Sequence, residues 1–261
     1  MNRQITNIYF VQKTVISFIL FTILVLSACD YITDLKRTGE EITIEIPWDG
    51  SGHIEVNASS SIVLVNSEDY KIKITGMDFI ARGYEIDTSD NKLNITHTNP
   101  FRLQQDKLPD ILIYAPDFRR LTINAPSQLA NRDSLKFENL TISINGRGTY
   151  TTSDLKLKGD HFRFNVYGRG TKTTHQLLGV ANKAYYHIEG GTNINASALT
   201  TGTTNIRHLS FGNCFVNSTE KLDVTIFSSG NVYYSGNPEV QYKQDETSTL
   251  RPSGMVVQVT E

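Results

Sequence analysis

The sequence predicts an all-β fold, a parallel β-helix (β-solenoid) whose windings are about 21 residues long. Three observations predict it. The first is a recurring strand-and-corner unit. Leu140, Ile142 and Ile144 alternate with polar residues and run into Gly146, Arg147, Gly148 and Thr149. Phe162, Phe164 and Val166 repeat the pattern 22 residues later and enter Gly168, Arg169, Gly170 and Thr171; Ala184, Tyr186 and Ile188 then enter Gly190, Gly191 and Thr192. The second is a register of apolar positions: Ile123, Ile144, Val166, Ile188 and Leu209 fall 21 or 22 residues apart, as do Leu155, Leu177 and Ala198. The third is composition. Gly, Asn, Ser and Thr are abundant, tryptophan occurs once, and helical periodicity is scarcely visible, which suits short strands and tight turns. An antiparallel sandwich also has short strands, but nothing in it requires the same corner chemistry at a fixed interval. Right-handed coiling is expected, because about 98% of parallel crossovers take that hand.

The N-terminal region reads as an address. Arg3 and Lys13 precede an apolar run from Val15 to Leu26 that is too short for a membrane span. Its end, Leu26-Ser27-Ala28-Cys29, resembles a bacterial lipobox. That resemblance implies a lipoprotein signal peptide over residues 1–28 and acylation of Cys29. Residues 29–40 then form the lipidated cysteine and a polar tether, and residues 41–261 the solenoid. Several acyl chains anchor stably, since each buried CH₂ contributes about 0.8 kcal/mol. The chain is therefore expected in the cell envelope, held to a bacterial membrane, with the outer membrane favoured over the inner.

Strand signals begin at Ile42, Ile44 and Ile46 and continue through Ile54 to Val56, Ile62 to Leu64, Ile72 to Ile74 and Leu93 to Ile95. Turn formers such as Asn66-Ser67 and Ser89-Asp90-Asn91 separate them. Ile111 to Pro116 and Leu121 to Pro126 form a pair ten residues apart, read as successive strands of one winding with proline at the strand ends. In the register that follows, aliphatic ladders fill the interior, and Thr149, Thr171, Thr192 and Asn213 are expected to make a polar ladder at the corners. Met255 to Val259 is expected either to fold over one end of the stack or to pair with another copy.

The segment from Gly230 to Val240, which holds Val232-Tyr233-Tyr234 and Gly236-Asn237-Pro238, resembles the closing motif of the putative auto-transporter adhesin head GIN domain family. Ile113-Tyr114-Ala115-Pro116 followed by Leu121-Thr122-Ile123 is similar to that family's strand, proline and strand pattern. The resemblance spans roughly residues 50–240. It implies a parallel β-helix or β-roll on exported proteins or lipoproteins of Bacteroidetes-type bacteria, with no catalytic residues to transfer. Typical members carry Ser-Gly-Ser-Gly corners where this chain has Gly-Arg-Gly-Thr and Gly-Gly-Thr.

Candidate chemistry is sparse. Arg147 and Arg169 sit in matching corners about 5 Å apart if stacked, suited to a carboxylate or phosphate of an anionic glycan or a lipid headgroup. Tyr167, Tyr185, Tyr233 and Tyr234 are either sugar-stacking platforms or ladder-stabilising aromatics. The six histidines, His53, His97, His161, His175, His187 and His208, lack metal spacing and read as scattered surface residues. Asp154, Asp160 and Glu189 are not clustered in sequence, and glycoside hydrolysis needs a facing carboxylate pair. Cys214, the only cysteine after Cys29, reads as a small buried hydrophobe.

A net charge of −2 without a basic aromatic stripe argues against a nucleic-acid partner. No catalytic residue, metal or cofactor is expected. The reading is a lipid-anchored, non-catalytic envelope solenoid for adhesion or binding, with a glycan or an envelope protein as partner and oligomerisation open. A carbohydrate-active enzyme and a purely structural envelope component stand as the alternatives.

Overall fold

Alternating side chains set the architecture: in most strands every second residue is buried, so each offers one face to a shared interior, whereas the end strands Glu41–Pro47 and Glu239–Gln244 bury none. The computed structural model describes residues 39–48, 50, 52–89, 92–98, 108–146, 150–168 and 172–259. The compact unit extends from Glu41 to Glu261. Short strands come first: β1 (Glu41–Pro47), β2 (His53–Val56), β3 (Ser61–Asn66) and β4 (Lys71–Met77). One helical turn, α1 (Asp78–Ala81), leads to β5 (Tyr84–Asp87), β6 (Leu93–His97), β7 (Asp110–Ala115), β8 (Arg120–Ile123) and β9 (Gln128–Asn131). Long strands follow: β10 (Leu135–Asn145), β11 (Thr152–Tyr167), β12 (Thr174–Gly190), β13 (Asn193–Ser210) and β14 (Cys214–Ile226). The chain closes with β15 (Val232–Ser235), β16 (Glu239–Gln244) and β17 (Val256–Gln258).

These strands stack into two parallel ladders, as the predicted solenoid requires. One runs β6, β2, β8, β10, β11, β12, β13, β14, β16. The other runs β7, β3, β9, β11, β12, β13, β14, β15, β17. Strands β11 to β14 take part in both. Antiparallel pairing is confined to the N-terminal end, where β4 pairs with β1 and β7, and β5 with β6. The winding made by β2 and β3 lies between that of β6 and β7 and that of β8 and β9, so the first windings do not stack in chain order. Ile111 to Ala115 and Leu121 to Ile123 accordingly lie on different ladders, consecutive along the chain.

The predicted column is present and longer than expected. Ile95, Val56, Ile123, Ile144, Val166 and Ile188 lie over one another and are all buried. Its continuation differs from the expectation. Ile188 faces His208, and Leu209 faces Glu189 instead, because the next winding spans 20 residues at this point where the two before it span 22. Leu155 lies on Leu177 as expected, but Ala198 faces Leu178 and is exposed. A register shift between Gln176 and Leu178 absorbs one extra residue of β13 there, and Ala196 is buried.

Corner chemistry also moves by one position. Asparagines form the ladder: the Asn193 side-chain oxygen accepts the Asn213 N–H at 2.9 Å, Asn213 accepts that of Asn231 at 3.2 Å, and Asn231 accepts that of Met255 at 2.9 Å. Thr192 is buried beside Gly212 rather than aligned with Asn213, and Thr149 and Thr171 lie outside the described residues. A second asparagine ladder links Asn94, Asn57, Asn124 and Asn145 through side-chain amides at 2.7 to 3.2 Å. Asn57 and Asn124 each donate to one winding and accept from another, while Asn94 accepts and Asn145 donates at the ends of the row.

Candidate functional site

The outer surface of the first ladder concentrates the polar and aromatic side chains. Inward residues alternate with outward ones, so Leu140, Phe162 and Ala184 form a floor while their neighbours project. One outward column is Thr141, Arg163, Tyr185 and Asn205; the adjacent one is Asn139, His161, Lys183 and Thr203. Together they line an open groove of about 460 Å³. Long side chains project from the middle rungs, and the outward lining residues on either side of them, Asn139, Thr141, Thr203 and Asn205, are shorter.

The groove is electropositive and partly preorganised. The Arg163 guanidinium lies over the Tyr185 ring, 4.1 Å from its centroid, which holds the cation in place without neutralising it. Lys183 contributes a second cation, and no carboxylate is among the lining residues. At the rim, His161 Nδ1 is 3.1 Å from Asp160, whose other oxygen accepts a hydrogen bond from the Asn182 amide at 2.9 Å. Farther along the same face the Tyr167 ring packs on His187 at 4.7 Å, and Arg207 lies over Phe227 at 4.7 Å. Glu189 accepts from His187 and from the Gly168 N–H, both at 3.0 Å.

The sequence-derived candidates are thus only partly visible. Cys29, Arg147 and Arg169 lie outside the described residues. Tyr185 lies beneath Arg163 and lines the groove, and Tyr167 is exposed. Tyr233 stacks on Phe215 at 4.8 Å, with planes 13° apart, on the outside of the second ladder. Tyr234 packs against the core and is not an exposed platform, because β15 turns it inward beside Val216. The groove itself was missed. Its signal was the 22-residue interval, which sets Arg163 against Tyr185 and His161 against Lys183.

Two histidines contradict the expectation of surface positions. His175 and His208 are fully buried, since each occupies an inward place in a column. His175 Nδ1 is 2.9 Å from the Ser153 hydroxyl, and its ring packs edge-on to Phe164. Neither ring nitrogen of His208 has a partner in full hydrogen-bond geometry, although the carbonyls of His208 and Ser210 lie close to the ring. Burial lowers the pKa of His175 to about 3 and that of His208 to about 4. Cys214 is a buried column member between Ile194 and Val232, and burial pushes its thiol well up, so the thiolate of a nucleophile is disfavoured. Asp160 and Glu189 are tied into the contacts above, and Asp154 is exposed beside Gln176. Among the described residues no group of three His, Cys, Asp or Glu side chains is placed to hold a metal ion.

The profile of the family described as "Putative auto-transporter adhesin, head GIN domain" matches residues 50–238. The chain belongs to this family. The match runs through Gly236-Asn237-Pro238, within the closing motif noted above. Solved structures share the fold of this GIN-domain protein. A putative adhesin from Bacteroides fragilis NCTC 9343 superposes with a TM-score of 0.75 at 19% identity, covering 85% of this chain and 98% of that one. A putative lipid binding protein from Parabacteroides distasonis ATCC 8503 gives 0.62 at 17% identity, with the same shares covered. A putative adhesin from Parabacteroides merdae ATCC 43184 gives 0.56 at 18%, again over 85% and 98%. No curated protein matches the sequence. Family and neighbours carry the names of adhesins or lipid-binding proteins rather than enzymes, and an adhesin-like family suggests the cell surface or envelope.

Proposed function

We propose that this GIN-domain protein is a lipid-anchored, non-catalytic binding protein of the cell envelope whose groove holds an acidic glycan. The groove carries the reading: two cations, an aromatic ring and several amide and hydroxyl groups line one open trough, and the carboxylates beside it, Asp160 and Asp223, are paired with His161 and Lys221. Arginine pairs with a uronate carboxylate in a planar, two-pronged geometry, and the open end of the groove suits a chain longer than one sugar. Arg147 and Arg169, each two residues beyond the end of β10 or β11 in the sequence, add to this cationic character. Aliphatic ladders fill the interior, which favours a ligand on the outside over an acyl chain within. Cys29 supplies the anchor, on the strength of the Leu26-Ser27-Ala28-Cys29 motif.

Binding to a panel of uronate-rich and neutral polysaccharides tests the groove. Acidic chains bind and neutral ones do not, added salt weakens the complex, and R163A/K183A reduces affinity about tenfold or more with an unchanged melting temperature. Equal binding of neutral chains, or an unaffected double variant, would refute the site. For the anchor, C29S shifts the protein out of the acylated membrane fraction; continued acylation of that variant would place the lipid elsewhere.

A further inference from the structure

The two ends of the solenoid are finished differently. At the N-terminal end β4 runs antiparallel to β7 and carries β1 on its other edge. Ile42, Ile44 and Ile46 pack against the core there, α1 buries Ile80 and Ala81, and Lys73 pairs with Glu45 at 2.8 Å. Charge and crossing strands close that end. At the C-terminal end the final rungs are β16 and β17, and among the described residues each pairs with one strand only. β16 continues the interior columns, Val240 on Leu222 and Tyr242 on Val224. Leu222 and Val224 are buried, yet Val240 is 37% and Tyr242 47% exposed. Just before β17, Met255 is 57% exposed, and residues 254–259 carry no charge. Native edges are normally blunted by inward-pointing charge, proline or a bulge, and an unblunted edge recruits another strand.

We propose that a second copy of this chain closes this end, tail to tail, with two β16 strands pairing antiparallel about a two-fold axis at Gln241. Residues opposite each other in such a pair lie on the same face of the sheet. In the register centred on Gln241, inward Val240 meets Tyr242 of the second copy, and outward Glu239 meets its Lys243, each contact occurring twice. Moving the centre to Tyr242 sets Glu239 against Asp245 and Val240 against Gln244, so like charges meet and an apolar contact is lost. β17 offers a matching self-register about Val257, in which Met255 meets Val259 without any charge. The closed N-terminal end stops association at two copies, where a head-to-tail contact would build a filament.

Cysteine cross-linking and sedimentation of the full chain test the arrangement. In an antiparallel pair the Cα atoms of opposed residues are about 4.5–5.5 Å apart, inside the range a disulfide spans. Q241C is expected to give about tenfold more disulfide-linked dimer on mild oxidation than either the unsubstituted chain or E85C, which places the thiol on exposed β5 near the capped end. Sedimentation is expected to show a dimer that Y242K weakens about tenfold or more without lowering the melting temperature, Tyr242 being exposed. A monomer throughout the micromolar range, equal cross-linking of Q241C and E85C, or assemblies larger than two would each overturn the proposal.

Discussion

Replacing Gly230 with alanine is expected to cost about 3 kcal/mol and lower the melting temperature by roughly 6–12 °C for a domain of this size. The reason is close approach of backbones. A Cβ on Gly230 would sit 1.9 Å from the Gly212 carbonyl oxygen, 2.4 Å from the His208 ring and 2.6 Å from the Ser210 carbonyl oxygen. The same relation repeats along the corner: a Cβ on Gly212 would sit 2.3 Å from the Thr192 carbonyl oxygen, and one on Gly254 2.0 Å from that of Gly230. Backbone oxygens fixed in ladders cannot retreat as the end of a flexible side chain can, so the windings must part.

Gly146 provides the contrast. It has φ of +52°, but nothing lies within 4 Å of its Cβ position, so G146A is expected to cost only about 1–2 kcal/mol from backbone strain. Urea denaturation followed by circular dichroism compares the two. Because solenoid stability is shared between adjacent windings, hydrogen exchange in G230A should accelerate in β13 to β17 before β6 to β8. Equal midpoints for G230A and the unsubstituted chain would mean that the corner is not close-packed.

Acidification from pH 7 to pH 5 is expected to remove about 4 kcal/mol of stability through the two buried histidines, about 2 kcal/mol each. Their folded pKa values of about 3 for His175 and about 4 for His208 lie below the ordinary 6.5, and desolvation of the charged ring is the leading cause. Carbonyls of His208 and Ser210 near the His208 ring oppose the shift. Above pH 6.5 both rings are neutral whether folded or unfolded, and their contribution is complete. Below it the unfolded chain takes up protons that the folded chain refuses, so stability falls with pH until the folded values are reached.

H208L separates this effect from general acid unfolding. Leucine suits a column flanked by Ile188 and Ile226 and removes two unpaired ring nitrogens, so the variant should be no less stable at pH 7 and lose about half as much at pH 5. Urea midpoints at the two pH values give the comparison. An unchanged pH slope in H208L would show that other groups govern the acid limb.

How much was legible varied along the chain with the regularity of the windings. Ile144, Val166 and Ile188 were readable as a column because successive windings there have the same length, and a constant length carries inward residues to inward places. His208 escaped because one winding shortens to 20 residues, which puts a histidine where an interval of 21 pointed to Leu209. Ala198 escaped because a register shift absorbed one extra residue without ending the pairing beyond it. The groove was half legible: Arg163 over Tyr185 follows from the interval, but the height difference towards Thr203 and Asn205 depends on side chains meeting across rungs.

By itself, then, the amino-acid order determined that this is a stacked β-structure with aliphatic ladders and glycine corners, since period and alternation are local properties that every winding repeats. Only the tertiary structure decided that β2 and β3 slip between later windings, that two histidines lie inside, and that one end is closed while the other stays open. The physical reason is that parallel ladders accept any winding with a matching edge. Which edges meet is settled by the competition among all of them at once, and no single stretch of the chain carries that information.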